Sequence, residues 1–117
     1  TAAKVTGTFD DVNATLDSGF NVTSGTDSAT GDATFNFTNA MSSTTDRTIL
    51  WGCWNTNDDG TNGVGGNSRG GLNVFQVAVA PSTSSVRGRT AYGSTASADG
   101  AAADCSAMYV AIFGDLA

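Results

Sequence analysis

The chain contains 117 residues, enough for one domain with a single modest core. More than half of them are small, with 17 Thr, 17 Ala, 15 Gly and 12 Ser, a composition that favours short strands and loops over helices. Eleven Asp against one Lys and four Arg give a formal charge of -6, which argues against a nucleic-acid partner because phosphates would be repelled.

Apolar residues alternate with a period of two along most of the chain, which is typical of strands. Residues 96–107 are rich in alanine but have no apolar face and are broken by Gly100, so they are predicted to be a loop. The pattern predicts an all-β fold: a small antiparallel β-sandwich, jelly-roll or immunoglobulin-like, that spans residues 1–117 as one domain. About seven short strands are expected, at residues 4–9, 20–26, 32–38, 47–55, 72–80, 84–92 and 106–114.

The second and third predicted strands flank the sequence DSATG at residues 27–31. Asp, Ser and Gly are turn-forming residues, so these strands are predicted to pair as a hairpin. In the third strand Phe35 and Phe37 are two residues apart, and we expect both on one face.

Absent residue types restrict the chemistry of this chain. It has no His and no Glu, so the commonest general base, histidine triads and His-containing zinc sites are excluded. We therefore expect no enzyme activity and no cofactor. No apolar run approaches the roughly 20 residues of a membrane span, and residues 1–11 lack the pattern of a signal peptide, so we expect a soluble chain without membrane insertion.

Trp51 and Trp54 lie three residues apart on a predicted strand, so they must face opposite sides of it. We expect one of them to face outward. An outward tryptophan could stack on a sugar or anchor a subunit interface, or it could be covered by the loop that follows.

That following loop is rich in Asn, Asp, Gly and Thr. Asn55, Asn57, Asp59 and Gly60 match the first half of a calcium-loop pattern, but Gly66 stands where the bidentate Glu should be. A solvated loop is therefore favoured over a metal site, with Asn55, Asn57 and Asp59 kept as a weak calcium candidate. The candidates for ligand or interface contacts are Trp54, Asn57, Asp58, Asp59, Asn62 and Arg69.

Two cysteines, Cys53 and Cys105, allow one intramolecular pair. A disulfide between them would close a loop of about 50 residues and could contribute on the order of 4 kcal/mol. Two buried thiols are an equally good interpretation. The adjacent pairs Asp10–Asp11 and Asp58–Asp59 are most simply interpreted as solvated turns.

The segment FNVTSGTDSATGDATFNFTNAM, residues 20–41, resembles a block found in virion structural proteins of tailed phages. In that block, FNVSS, a TDNGTGDYTVNF hairpin and a TAMPDANY turn follow one another. Here FNVTS at 20–24, TDSATGDATFNF at 26–37 and TNAMSSTTD at 38–46 stand in those places. The Pro and Tyr that usually follow the Met are absent, and residues 47–105 match no part of the block. KVTGTFDD at 4–11 and MYVAIFGD at 108–115 resemble its first and last strands.

The resemblance implies a β-sandwich on the surface of a phage particle, in a homotrimer and in contact with other virion proteins. It transfers no catalytic or ligand residues. We expect a tail-fibre tip or host receptor-binding domain whose loop at 55–71, with Trp54, contacts a host surface glycan or protein. One alternative is a capsid decoration protein, cement or head fibre, because the chain shows no evident shaft or attachment segment. A second is a secreted carbohydrate-binding module.

Overall fold

The computed structural model describes residues 2–54, 69–76, 82–94, 101–102 and 104–117. These residues contain strands and turns, and no helix among them is long and apolar enough to cross a membrane. The strands are β1 (Val5–Asp10), β2 (Thr15–Phe20), β3 (Val22–Ala29), β4 (Asp32–Phe37), β5 (Arg47–Trp54), β6 (Arg69–Gln76), β7 (Ser85–Ser94), β8 (Ala101–Ala102) and β9 (Ala107–Gly114).

The strands form two antiparallel sheets. One has the order β2-β1-β9-β5, and the other has the order β3-β4-β7-β6 with β8 paired to β7. The first and last strands of the chain are thus neighbours, with Val5 opposite Ile112. The predicted all-β sandwich is confirmed.

Two of the described strands were not predicted. Strand β2 contributes only Leu16 to the sandwich interior and is otherwise exposed, so its sequence carries almost no apolar alternation. Backbone pairing with β1 holds it in place, with Thr6 opposite Phe20. Strand β8 consists of two alanines within residues 96–107, which were predicted to be a loop.

The predicted hairpin is formed by β3 and β4. Thr30 and Gly31 make the two-residue turn, and Gly31 has a φ of 67°, a left-handed conformation that glycine adopts at little cost. Phe35 and Phe37 are both buried, so their shared inward face is confirmed.

Three aromatic rings form the centre of the core. Phe9 and Phe35 meet edge to face with ring centroids 6.2 Å apart, and Phe35 meets Trp51 at the same centroid distance with the rings tilted by 48°. Phe35 belongs to one sheet and the other two rings to the facing sheet, so the row of rings joins the two sheets. Such aromatic pairs contribute about 0.5–1.5 kcal/mol each beyond the area that they bury.

Each of these rings lies over a glycine of the opposite sheet. A Cβ placed on Gly7 would lie 2.8 Å from Phe35 Cδ1, and one on Gly88 would lie 2.6 Å from Trp51 Cζ3, closer than real Cβ atoms approach. The glycines therefore leave the space that the rings occupy. The three pairs are Gly25 with Phe9, Gly7 with Phe35, and Gly88 with Trp51.

Candidate functional site

Strand β5 carries the two tryptophans on opposite faces. Ile49, Trp51 and Cys53 pack against the core, whereas Leu50 and Trp54 are each 55% exposed. The outward tryptophan expected from the spacing is thus Trp54.

The same alternation of inward and outward side chains on all four strands identifies which residues lie on the outer face of the four-stranded sheet. Register pairs place Thr6 opposite Ala111 and Leu50 opposite Ala111, so the same row crosses β1, β9 and β5. Asp10, the last residue of β1, is the charged member of this outer face, and its other members carry no formal charge, in a chain whose net charge is -6. We define the outer face as Thr6, Thr8, Asp10, Ser18, Phe20, Thr48, Leu50, Gly52, Trp54, Tyr109, Ala111 and Phe113.

Two exposed aromatic residues, Trp54 and Tyr109, together with Leu50, form what we call the aromatic patch of this outer face. Gly52 lies between Leu50 and Trp54 on β5 and is paired with Tyr109 on β9. A Cβ on Gly52 would lie 3.4 Å from Tyr109 Cδ2, so the tyrosine ring extends beside the glycine. Trp and Tyr are the residue types that contribute most to binding interfaces, and all three patch side chains are exposed.

The sequence pointed to Trp54 but not to the rest of the patch. Leu50 and Tyr109 occupy the outward positions of predicted strands, and that alternation was the signal that could have found them. Arg69 is the first residue of β6, and its backbone is opposite Ser94. The other predicted ligand, interface or calcium candidates lie outside the described residues: Asn55, Asn57, Asp58, Asp59 and Asn62.

A shallow groove of about 470 Å³ opens beside the ends of β5 and β9. Arg47 Nη1 donates a hydrogen bond to the Ser82 carbonyl oxygen at 2.9 Å, whereas its Nε and Nη2 are buried and donate to no described residue. No sequence pattern pointed to this arginine. The groove is lined by Thr45, Asp46, Arg47, Thr48, Phe113 and Gly114.

No disulfide joins Cys53 and Cys105 in the structure. Cys105 is buried, and its sulfur lies 3.6 Å from the hydroxyl oxygen of Thr90. Burial raises the pKa of the Cys105 thiol to about 11, so this sulfur stays protonated and is a poor nucleophile at neutral pH.

Asp10 and Asp11, predicted to lie in a solvated turn, differ in the structure: Asp10 lies at the surface and Asp11 is buried. Asp10 caps the turn after β1 at the surface, accepting hydrogen bonds from the backbone N–H groups of Val12 and Asn13 at 3.0 Å. Asp11, in contrast, is 1% exposed. The expectation is wrong for Asp11 because its backbone N–H donates to the Cys105 carbonyl oxygen, which draws the residue under the end of the sandwich.

No protein-family model, curated protein or solved structure matches this chain. Its function is therefore inferred from the outer face described above and from the sequence pattern at residues 20–41.

Proposed function

We propose that this protein is a non-enzymatic structural protein of the tailed-phage virion surface, acting as a tail-fibre tip or host receptor-binding domain. The observation that carries the proposal is the exposed aromatic patch on an outer face whose one charged member is Asp10. The phage-like pattern at residues 20–41 supports the virion as its location.

The aromatic patch is suited to contact a host surface glycan or protein. Trp54 and Tyr109 offer flat apolar rings with polar edges, which stack on sugars and anchor protein interfaces. Both rings lie on paired strands of one sheet, so little conformational entropy is lost when they bind. Trp54 also directly precedes residues 55–71, which the sequence predicts to be a loop that differs between hosts.

A homotrimer would present three such patches on one particle appendage. Linked binding sites raise the overall avidity far above the affinity of one site, which suits attachment to repeated surface structures. The net charge of -6 limits nonspecific association of the chain with nucleic acid released from lysed cells.

The first test is immunogold labelling of phage particles whose genome encodes this chain, with antiserum against the chain. Label at the tail end is the expected result. Label spread over the head would instead identify a capsid decoration protein whose aromatic patch contacts the lattice. If no particle is labelled, both virion functions are wrong, and glycan binding by the isolated chain would favour a carbohydrate-binding module.

The second test measures binding of the purified chain to cells of the host. Trp54→Ala should weaken binding at least about tenfold, since hot-spot aromatics contribute about 2 kcal/mol or more. Phe20→Ala is the matched control, because Phe20 is an equally exposed aromatic at the opposite edge of the same outer face. Equal losses in both variants would argue against the aromatic patch as the contact.

A further inference from the structure

Three segments meet at one end of the sandwich: the turn after β1 with Asp11, the β3–β4 turn with Gly31, and the residues before β9 with Asp104. The backbone N–H of Asp11, after β1, donates to the carbonyl oxygen of Cys105 at 3.2 Å. The backbone N–H of Gly31, in the β3–β4 turn, donates to Asp104 Oδ1 at 2.6 Å. Since β1 and β3 belong to different sheets, this acidic end joins the two layers.

The Asp11 carboxyl is buried at this end, and the side chain within hydrogen-bonding reach of it is a second carboxyl, that of Asp104. The residue is 1% exposed, and no N–H or hydroxyl group of the described residues reaches Oδ1 or Oδ2. Buried polar atoms are nearly always satisfied, and two ionised carboxylates side by side in a buried position are strongly unfavourable. Asp11 therefore lacks a positively charged partner among the described residues.

The side chains around Asp11 are acidic, which further disfavours the charged form of its carboxyl group. Burial, followed by the neighbouring carboxyl of Asp104, raises the pKa of Asp11 to about 7, and Asp27 and Asp32 act in the same direction. The guanidinium group of Arg87 is already paired, because its Nε and Nη2 donate to the two oxygens of Asp32 at 2.6 and 2.7 Å.

We propose that the carboxylates of Asp11 and Asp104 bind a calcium ion that ties the two sheets together at this end. Carboxylate oxygens are the preferred ligands of this hard cation, and its flexible coordination accepts backbone carbonyl oxygens and water as further ligands. Those further ligands are needed, because no cluster of three or more His, Cys, Asp or Glu side chains suited to a metal occurs in the described part of the chain. The proposed ligands are different residues from the weak calcium candidate Asn55, Asn57 and Asp59.

The test compares thermal unfolding of the full chain in EDTA, in CaCl₂ and in MgCl₂ at millimolar concentrations and pH 7.5. Extracellular calcium modules bind with dissociation constants of about 10⁻⁴ to 10⁻³ M, so CaCl₂ should raise the melting temperature clearly. Calorimetric titration with CaCl₂ should give about one ion per chain. Asp11→Asn should remove the rise and weaken calcium binding at least about tenfold.

Three further variants make the test decisive. Asp104→Asn keeps an oxygen for the Gly31 hydrogen bond but removes the charge, so it should also lose the calcium response. Asp17→Asn, an exposed aspartate on β2, and Asp59→Asn should both retain it. The proposal is overturned if calcium leaves the wild-type melting temperature unchanged, if MgCl₂ acts equally, if Asp11→Asn still responds, or if Asp59→Asn alone loses the response.

Discussion

Two buried aspartates at the acidic end differ in how their charge is compensated. Asp32 is held by a bidentate ion pair with Arg87, and its side chain is only 6% exposed. Asp11 has no such partner among the described residues. The charge of Asp32, at the start of β4, is therefore compensated, whereas that of Asp11, in the turn after β1, is not compensated by any described cation.

In EDTA, the unpaired Asp11 should make the protein less stable as the pH rises from about 4 to about 7. Its pKa is about 7 in the folded state against 3.8 for the ordinary value, so the unfolded chain loses the proton first and is favoured across this range. The slope for one proton is at most about 1.4 kcal/mol per pH unit, and it should vanish above pH 7. Urea denaturation of wild type and Asp11→Asn at several pH values checks this, and parallel curves for the two proteins would contradict it.

Replacing Arg87 should leave the Asp32 carboxylate buried without its partner. Arg87→Leu is expected to lower the free energy of unfolding, because the Asp32 carboxylate, whose side chain is only 6% exposed, loses both guanidinium donors. Arg89→Leu, on the same strand and exposed, is the matched control and should change stability by less than about 0.5 kcal/mol. Similar losses in both variants, measured by urea denaturation, would show that the ion pair is not responsible.

At the scale of the strands, the aromatic rings and the glycines of facing sheets depend on each other. Trp51 reaches the opposite sheet only because Gly88 on β7 has no side chain at the point of contact. On the outer face, Gly52 meets Tyr109 at an ordinary contact distance and is under no such restriction. Glycine thus has two different roles in strands of the same fold.

Gly88→Ala should therefore destabilise the protein, and Gly52→Ala should not. A methyl group at Gly88 would push against the Trp51 ring, and overpacking of this kind costs about 1–3 kcal/mol. Gly52→Ala is expected to be neutral or stabilising by up to about 1 kcal/mol, because it restricts the unfolded chain. Thermal unfolding of both variants provides the measurement. A stable Gly88→Ala protein would mean that the ring can move aside.

For the whole molecule, the first and last strands pair inside one sheet, and one face with a single charged residue, Asp10, remains on the outside of a strongly acidic chain. Such a face is suited to contact a host surface, since little charge must be desolvated when it is covered.

The homotrimer is tested by light scattering after size exclusion. The expected mass is three times the 11.7 kDa of the chain. A mass of one chain at all accessible concentrations would contradict self-association of this chain.

The sequence by itself determined the all-β sandwich, the β3–β4 hairpin and the outward tryptophan, because side-chain alternation and turn residues are local properties of the chain. It did not reveal β2, whose position depends on backbone pairing with β1 more than on its own apolar residues. Only the tertiary structure decided which glycines lie beneath aromatic rings, which outward residues join Trp54 in the aromatic patch, and that Asp11 is buried beside Asp104. Each of these depends on contacts between residues far apart in sequence, and neither alternation nor composition records such contacts.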